Sequence, residues 1–553
     1  MARLIAVLLL LLVCLAAAFA CSPGPLLVGA AASATSQPRP TTTPSVPTPT
    51  RPAATATSTL RGAAPTPTPV PPTPGLTPTA TPLDPPELRA VWVDAFHDGF
   101  KTPAQVDQLV AWARQANLNA LFVQVRRRGD AYYLKSFEPR TEDPDLAPGF
   151  DALQYLIDRA HQGPQPLQVH AWLATLPVWH KRDVPPIDPG HVFNQHGLGA
   201  DDTWLMYRDD GAAWAGTDTA GMYYLDPGNP SAARYTVDVY TNLLRNYDVD
   251  GIHLDQVRYY EGEARHWGYN PTSVARFNQR YGRDPQSQPD PNDPDWIAWR
   301  RDQVTALVRR VYLEAKAIKP RAAVTAAVVA WGTGPQGSDG WQRQAPFASV
   351  LQDWRYWLQE GIVDYVLPMD YYRESGQGGW FDTWTQWQTA NPGKRGVVIG
   401  LGSYLNGIDG TLAQLGRARA LGPLGVALYS YAVPARDLEL ATPDDRSAFA
   451  SRLRELFGRP APVPELAWQS HPLSGNLLVD VAGHEDVPVM LVDTSGAVQR
   501  SWRTDGTGLA GGVDVAPGDY SLLVSADDVD GTPVPVSILA GSTTVVRFAA
   551  GQP

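Results

Sequence analysis

The fold of this chain is indicated most directly by one segment, Val249-Asp250-Gly251-Ile252-His253-Leu254-Asp255-Gln256-Val257-Arg258-Tyr259-Tyr260. Before it, residues 232–247 carry apolar side chains at helical spacing, whereas Gly251–Leu254 is a short apolar run of strand character. The local order is therefore helix, tight turn, strand and loop. A strand that continues abruptly into Asp, Gln, Arg and two Tyr ends at a functional surface. In a repeating β/α fold, Asp255 would stand at the carboxyl end of its strand, where such folds hold their chemistry.

Seven further segments share this character, so that the chain contains eight strand-like runs. The seven are Leu88–Ala95, Ala120–Arg126, Leu167–Leu173, Ala322–Trp331, Val363–Tyr371, Gly396–Tyr404 and Gly425–Tyr431. Helical patterns lie between them, at Pro103–Asn117, Phe150–His161, Trp296–Ile318, Ala345–Glu360 and Thr411–Leu421. This alternation predicts an α/β fold, the (β/α)8 or TIM barrel. The alternative is an open doubly wound sheet, although no Gly-rich phosphate loop follows the first strand.

The first 20 residues have the pattern of an export signal, with the apolar run Leu4–Leu15 and small residues just before Cys21. The run is too short for an ordinary membrane-spanning helix. Small residues before a Cys suit lipoprotein processing, which would lipidate Cys21. Because Ala18 stands where an aliphatic residue is usual, simple secretion after cleavage at Ala20 is the alternative. We expect an extracellular protein that is anchored to the cell membrane through Cys21.

Residues 21–86 are rich in Pro, Thr and Ala and almost lack charged or aromatic side chains, as in Pro65–Val70. Such a segment cannot bury a core and is expected to be a disordered, extended tether. Both cysteines of the chain, Cys14 and Cys21, lie at or before its start. The mature fold would therefore contain neither an intrachain disulfide nor a Cys nucleophile.

The C-terminal residues 466–553 lack a helical period and carry short alternating runs broken by Gly, Asp and Pro. The expected strands include Asn476–Val481, Val487–Val492, Gly518–Ser525 and Thr543–Ala549. Val513–Ser525 followed by Ile538–Phe548 resembles the prealbumin-like, carboxypeptidase-regulatory β-sandwich, and an immunoglobulin-like sandwich is the alternative. We therefore expect a barrel domain over residues 87–460 and a small all-β sandwich as an accessory domain after it.

Composition limits the partners of the protein. The formal net charge is -11, and no basic run or aromatic-basic strip stands out, so nucleic acid is not expected as a ligand. The chain has 18 Trp and 22 Tyr, and flat aromatic faces can stack on sugar rings, although about half could be ordinary core. The Trp residues concerned are Trp172, Trp179, Trp204, Trp214, Trp331, Trp341, Trp380, Trp384 and Trp387. A monomer that binds a polysaccharide or glycan is expected.

Two carboxylates are predicted to face one cavity. His253 and Asp255 are two residues apart on the fourth strand and so share a side. On the sixth strand, Asp370 follows Pro368 at the same spacing. Two carboxylates at one mouth are what cleavage of a glycosidic bond requires, one of them ionised and the other protonated.

The surroundings of each carboxylate indicate its role. Asp255, near Arg126, Arg258 and His253, would be held as the anion, and Asp370, among apolar and aromatic neighbours, would be the acid. A purely structural Asp255, paired with Arg126 or Arg258, is the alternative. Competing candidates for the acid are Asp94, Asp130, Glu261 and Glu374.

Other polar and aromatic residues at the strand ends are predicted to bind substrate. They are Asp94, Gln124, Arg126, His170, Trp172, His253, Arg258, Tyr371, Tyr404 and Tyr429. A lone His in such a place is more often a hydrogen-bonded core residue than a base. No set of His, Cys and carboxylate residues stands at metal-ligand spacing, so neither a metal nor a cofactor is expected.

Five segments resemble, in the expected order, motifs of the bacterial glycosyl-hydrolase-like family ten. They are Arg89–Val93, Asn119–Asp130, His170–Trp172, Leu225–Pro230 and Val249–Tyr260. The resemblance runs through residues 87–458. It implies a (β/α)8 glycosidase-like domain in exported, often lipid-anchored proteins, of which at least one relative acts on peptidoglycan glycan strands that lack stem peptides.

The chain departs from the family pattern at three positions. The fourth-strand motif is commonly DGIHFDDY followed by Tyr-Pro, but here Gln256 stands where the second acid often stands and Tyr260 replaces the Pro. Asp370 stands where many relatives show Gln or another polar residue. The nucleophile position, Asp255, is intact.

Two functions from different classes follow. The first is an exported glycoside hydrolase that cleaves O-glycosidic bonds of a cell-wall, peptidoglycan-type or extracellular polysaccharide through paired carboxylates. The second is a non-catalytic carbohydrate-binding wall protein on a degenerate barrel. Gln256 favours the second function a little, and Asp255 together with Asp370 favours the first more.

Overall fold

Eight parallel strands form a closed barrel in the computed structural model, which describes residues 83–216, 221–261, 263–336, 340–438, 442–525 and 532–548. The strands are β1 Leu88–Val93, β2 Ala120–Arg126, β3 Gln168–Ala174, β4 Gly251–Asp255, β5 Ala323–Val329, β6 Tyr365–Asp370, β7 Gly396–Leu401 and β8 Gly425–Tyr429. They neighbour one another in chain order, and β8 pairs with β1 to close the ring. The predicted barrel is confirmed, and the open sheet is excluded. Cys21, the expected leader and most of the expected tether lie outside the described residues.

Helices follow the strands and cover the outside of the barrel. They are α1 Pro103–Gln115, α2 Ala152–His161, α3 Pro230–Asn246, α4 Pro271–Arg280, α5 Pro294–Ile318, α6 Trp354–Glu360, α7 Glu374–Ala390, α8 Ile408–Ala420 and α9 Pro443–Phe457. Five of them begin with a capping residue followed by Pro, because a side-chain oxygen satisfies the first free N–H groups and Pro needs no acceptor there. At α3, for example, Asn229 accepts hydrogen bonds from the backbone N–H groups of Ser231 and Ala232. None of the described helices has both the length and the apolarity that crossing a bilayer requires.

The prediction of one continuous helix over Ala345–Glu360 is wrong. The chain forms a single turn, Ala345–Ala348, and then α6, separated by Leu351 with φ +55°. The cause is Gln352, whose buried side chain accepts a hydrogen bond from Val329 N at the end of β5. The apolar spacing over Ala345–Glu360 is helical, but the hydrogen bond between Gln352 and β5 takes the chain out of helical geometry at this point.

Alternation along the strands separates the barrel interior from the layer between strands and helices. The interior contains Leu88, Ala90 and Trp92 of β1, with Phe122 of β2 and residues of the other strands. The residues in between, such as Val91 and Val93, pack outward against the helices. In β6 the interior residues are Tyr365 and Leu367, so the even-numbered positions of that strand face outward. This alternation determines whether a side chain at a strand end faces the mouth or the outer helices.

The connection from β3 to β4 is long and lies at the carboxyl end of the barrel. It contains a short antiparallel pair, Pro177–Trp179 with Tyr223–Tyr224, and the single-turn helix Val192–His196. The pair brings Tyr224 next to the end of β4.

Two packed sheets follow the barrel. Their strands are β9 Gly475–Val481, β10 Pro488–Asp493, β11 Val498–Arg503, β12 Leu509–Val515, β13 Gly518–Val524, β14 Val534–Ile538 and β15 Thr543–Phe548. One sheet has the order β12-β9-β15 and the other β11-β10-β13-β14, with Leu477, Leu491 and Leu522 in the core that they share. A small β-sandwich is therefore present, as expected, and its prealbumin-like type stays a prediction.

Buried polar contacts join the sandwich to α4 and α5 of the barrel. The Arg276 guanidinium donates to Glu485 Oε2 at 2.7 Å, and Arg310 donates to the Thr507 side chain. Both arginines are at least nine-tenths buried. These contacts lie on the side of the barrel, whereas the mouth is formed by the carboxyl ends of the strands.

Candidate active site

Asp255 is the last residue of β4 and faces the barrel mouth. Its Oδ2 accepts a hydrogen bond from the indole N–H of Trp172 at 3.1 Å, and its Oδ1 accepts one from the Gln256 N–H at 2.7 Å. The Arg258 guanidinium lies 3.6 Å from Oδ1. The predicted position of Asp255 at an inward strand end is confirmed.

Burial raises the pKa of Asp255, while Arg258, the Gln256 N–H and the Trp172 indole oppose the shift. Arg126 contributes nothing here, contrary to expectation, because it pairs elsewhere. Both carboxyl oxygens already accept hydrogen bonds, which suits the ionised form. The result is a carboxylate whose charge is weakly hydrated and oriented by fixed donors.

His253 lies one layer below Asp255, as predicted, but it does not orient the carboxylate through a hydrogen bond. Its Nε2 accepts from the indole N–H of Trp92 at 3.1 Å, and its Nδ1 lies 2.8 Å from Thr325 Oγ1. Since an indole can only donate, Nε2 carries no proton and Nδ1–H donates to Thr325. Burial also holds the pKa of His253 well below its usual range. This neutral imidazole has a structural role below the site and is neither a substrate ligand nor a base.

Arg258 links Asp255 to a second carboxylate, that of Glu261. The Arg258 Nη2 donates to Glu261 Oε2 at 3.2 Å, while Nη1 faces Asp255. The Glu261 side chain is 44% exposed, whereas that of Asp255 is 14% exposed. One guanidinium therefore joins a buried carboxylate to a solvent-accessible one at the same edge of the mouth.

Gln256, which follows Asp255, has φ +50°, in the left-handed region that non-glycine residues rarely adopt. Its side chain donates to the Tyr224 hydroxyl at 3.3 Å. An amide therefore occupies the position of the family's second acid, where it supports the loop. Backbone strain of this kind collects at functional sites.

Three tyrosines form the opposite wall of the mouth. The rings of Tyr371 and Tyr429 stack with centroids 5.4 Å apart, and Tyr404 meets both edge-on. All three are half-buried, and Tyr371 and Tyr429 contact Trp92 edge-on. Their prediction as mouth residues fits this position, because a partly exposed aromatic wall offers an apolar face to a sugar ring.

The prediction that Asp370 faces the same cavity as Asp255 is wrong. Asp370 lies on the outer face of β6, is fully buried, and accepts a hydrogen bond at 2.9 Å from Gln388 of α7. Burial raises its pKa well above the usual range, and its Oδ2 has no partner among the described residues. A protonated side chain enclosed between strand and helix cannot reach a glycosidic oxygen.

Arg126 and His170 are also misassigned as substrate ligands. A bulge near the end of β2 turns Arg126 outward, where it donates to both carboxylate oxygens of Glu138 and to the backbone of Ala174. His170 lies deep in the barrel, stacked on Phe122 at 4.5 Å, and burial lowers its pKa to about 4. Both side chains are almost completely buried.

Gln124 and Trp172 do lie at the mouth, but each is tied to the protein. Gln124 accepts from Ala95 N at 3.0 Å, and Trp172, only 5% exposed, donates to Asp255. Trp172 therefore has little free face for a sugar ring. It positions the carboxylate instead.

The other competing acids are held by contacts of their own. Asp94 accepts from the Phe96 and His97 N–H groups and from the His97 ring at 2.7 Å. Asp130 accepts from two backbone N–H groups of its own turn, and Glu374 pairs with Arg417 between outer helices. Of the four, Glu261 is the one that the structure links to Asp255.

Most of the Trp-rich loops form core. Trp341, Trp354, Trp384 and Trp387 pack against one another, with Trp341 and Trp387 stacked at 5.5 Å. Trp172 and Trp179 are also buried, whereas Trp204, Trp214, Trp331 and Trp387 are partly exposed and Trp380 is 38% exposed. About half of the nine Trp side chains singled out are therefore core, as expected, and sugar stacking by the others stays a prediction.

A cavity of about 120 Å³ lies at the opposite, amino-terminal end of the barrel. Its carboxylate, Asp250, is held by His161 at 2.9 Å and by Val169 N at 2.8 Å. Because parallel barrels hold their chemistry at the carboxyl end, we assign this cavity no reaction. Within the described ranges, no three His, Cys, Asp or Glu side chains are grouped as a metal site requires.

Sequence reasoning missed three features of the mouth. Trp92 and Tyr224 support the site from below and from the side, and the pair Arg127 and Arg128 lines its edge. The signals were present: Trp92 follows the inward alternation of β1, and Arg127 and Arg128 directly follow Arg126, the last residue of β2.

A model of the glycosyl hydrolase-like 10 family matches residues 87–411, more than half of the chain. The chain belongs to this family. It is 25% identical over 337 residues to the glycosyl hydrolase YngK of Bacillus subtilis strain 168, covering 57% of this chain and 60% of that protein. It is 26% identical over 312 residues to the glycosyl hydrolase DigH of Escherichia coli K12, covering 54% and 65%. The chain thus matches about three fifths of the length of these relatives.

Among solved structures, the glycoside hydrolase domain of PgaB (BpsB) from Bordetella bronchiseptica overlaps with a TM-score of 0.43 and 17% identity, over 68% of this chain and 99% of that one. Membership of the family makes the barrel a glycosidase-type domain. The resemblance in the strand motifs is confirmed at the level of the family.

Proposed function

We propose that the protein is an exported glycoside hydrolase that cleaves O-glycosidic bonds of a cell-wall or extracellular polysaccharide. The observation that carries the proposal is Asp255, held at the barrel mouth by two hydrogen bonds and an ion pair with Arg258, opposite a wall of tyrosines. The relatives named as glycosyl hydrolases support the class of reaction.

In the proposed mechanism, Asp255 is the ionised carboxylate that faces the anomeric carbon. Its poor hydration strengthens the interaction with the positive charge that develops on the sugar ring in the transition state. Glu261, on the water-exposed side of Arg258, takes the place that the sequence assigned to Asp370 and exchanges protons with the glycosidic oxygen and water. The tyrosine wall of Tyr371, Tyr404 and Tyr429 holds the sugar ring.

The test is incubation of the protein with peptidoglycan strands stripped of stem peptides and with a panel of polysaccharides, with new reducing ends detected by mass spectrometry. Products from at least one glycan are expected. A protein that binds glycans but releases no product would instead be the carbohydrate-binding alternative, which the amide of Gln256 in the family's acidic position favours.

The role of Glu261 is tested with aryl glycosides. If Glu261 donates the proton, Glu261→Gln should lose turnover of natural glycans but keep it for substrates whose leaving group needs no protonation. Equal loss for both kinds of substrate would contradict this role.

A further inference from the structure

Two arginines that follow β2 are paired with carboxylates less closely than their neighbour Arg126. Arg126 is neutralised by Glu138, with 2.8 Å between Nε and Oε2. Arg127 approaches Asp143 only to 4.0 Å, and in the described parts of the chain Arg128 has no ion pair. The Nε groups of Arg127 and Arg128 are buried, and among the described residues neither has a hydrogen-bond partner. Adjacent cations that are left in this state destabilise the fold.

The nearby acids serve other groups. Asp143 is 2.8 Å from Lys101 Nζ and also accepts from the Tyr132 hydroxyl at 2.8 Å. Asp130 accepts from the backbone N–H groups of Arg127 and Arg128, so it shapes the turn and binds neither guanidinium. In addition, burial and then Arg127 lower the pKa of Arg128 to about 10, so Arg128 remains charged at neutral pH.

The two guanidinium groups lie around an exposed ring. Their central carbons are 5.1 Å and 5.7 Å from the ring centroid of Phe96, which is 49% exposed. Close by, burial and then Arg128 lower the pKa of His180 to about 3, so its imidazole is neutral. The Nδ1 of His180 is buried and has no hydrogen-bond partner among the described residues. The cluster thus offers an apolar face, two cations and a neutral polar atom.

This cluster borders the mouth that holds Asp255. Arg127 donates to Ala95 O at 3.0 Å, and Ala95 N donates at 3.0 Å to Gln124, which faces the barrel interior at the end of β2. The loops after β1, β2 and β3 all leave the carboxyl end of the barrel. A glycan that crosses Asp255 can therefore extend over the arginine pair.

We propose that Arg127 and Arg128 form a subsite for a carboxylate on the glycan, so that the substrate is an acidic polysaccharide. The inference rests on the proposed function, since it assumes a glycan in the mouth. A guanidinium fork matches a carboxylate in shape and charge, and Phe96 can cover the sugar ring that carries it. The carboxylate can belong to a uronic acid or to the lactyl ether of muramic acid in strands without stem peptides.

The test measures binding by calorimetry with the Asp255→Asn protein, which should not consume the probes. The probes are peptide-free peptidoglycan strands, the same strands with their carboxylates converted to methylamides, and oligogalacturonate. We expect at least one acidic probe to bind about 10-fold to 100-fold more tightly than the amidated strands. The acidic probe that binds identifies the source of the carboxylate.

Arg128→Gln should abolish this preference and leave the affinity for the amidated strands unchanged. Arg128→Lys, which keeps the charge but not the fork, should retain part of the preference. The matched control is Arg452→Gln, which removes a half-exposed cation of α9 that pairs with Asp409 and should change nothing. Thermal melting shows whether the variants are folded, and Arg128→Gln should melt at the same or a higher temperature, because it removes an unpaired cation.

Equal affinity of the protein for acidic and amidated strands would overturn the inference. An Arg128→Gln change that lowers the affinity for both kinds of strand equally would also overturn it. If both kinds of strand are bound and the wild type cleaves both, only the carboxylate subsite fails. If no glycan is bound or cleaved, the proposed function fails with it.

Discussion

At Asp255, burial and hydrogen bonding act in opposite directions on one carboxyl group. Burial disfavours the charge, while the Trp172 indole, the Gln256 N–H and Arg258 favour it. These donors favour the ionised form, and burial keeps away the water that would weaken the field of the carboxylate. In the proposed mechanism this field is what stabilises a positively charged sugar ring.

Asp255→Asn should lower kcat on a cleaved glycan by on the order of 10³-fold or more, about 4 kcal/mol of barrier, because an amide keeps the shape but not the charge. Binding of the glycan should change little. Reducing-end release measures the rate, and calorimetry measures the affinity. Asp370→Asn serves as the matched control and should keep near-normal turnover. Hydrolysis at a near-normal rate in Asp255→Asn would refute the role of Asp255.

Trp172→Phe keeps an aromatic ring in the barrel but removes the N–H that donates to Asp255. Because this bond favours the ionised carboxylate, its loss should raise the pKa of Asp255 further. The acid limb of the pH profile of kcat/KM should then move to higher pH, and the maximum rate should fall roughly 10-fold to 100-fold. Trp179→Phe is the control, since Trp179 donates to Val184 O instead. An unmoved acid limb in Trp172→Phe would contradict the positioning role.

At the scale of elements, β6 and α7 enclose a polar pair in an otherwise apolar layer. Gln388 of α7 donates to Asp370 Oδ1, while Asp370 Oδ2 and Gln388 Oε1 both lack a hydrogen donor among the described residues. A proton on Asp370 would supply that donor and join the two side chains by a second bond. The raised pKa of Asp370 has the same origin, because burial disfavours its charge.

The packing of β6 on α7 predicts how stability depends on pH. With its pKa raised in the folded state, Asp370 holds a proton that the unfolded chain releases, so the contribution of Asp370 to wild-type stability should fall as pH rises above about 4. Asp370→Asn keeps both bonds without a titrating proton. It should flatten this dependence and raise the melting midpoint at pH 7 by about 1 °C, the effect of about 1 kcal/mol on a barrel of this size. Calorimetric melting from pH 4 to pH 8 measures this, and a lower midpoint at pH 7 would contradict it.

At the scale of the whole molecule, location is predicted from the first residues. We propose that Cys21 is lipidated and that residues 22–86 tether the barrel to the membrane. Wild-type protein should then partition with the membrane fraction, and Cys21→Ser should appear in the medium, because the acyl chains supply the contact with the bilayer. Fractionation followed by blotting measures the partition. An unmodified Cys21 in the mass spectrum of the wild-type protein would exclude the anchor.

The barrel and the direction of Asp255 follow from the sequence alone. Eight apolar runs between helical patterns permit few other folds. On β4, polar His253 and Asp255 alternate with apolar Ile252 and Leu254, so one face is marked as different.

Only the tertiary structure decided where Asp370 and Arg126 point. The strand β6 reads Tyr-Val-Leu-Pro-Met-Asp, apolar on both faces, because a barrel strand is buried against the interior and against the helices alike. The periodicity of β6 therefore cannot indicate which face is inward. If the wrong set of alternate residues is assigned to the interior, Asp370 is predicted to face the mouth. Arg126 is turned outward by a bulge and held there by Glu138, a loop residue. The link from Asp255 through Arg258 to Glu261 likewise depends on how a loop folds back, which is set by packing around the mouth and not by the local sequence pattern.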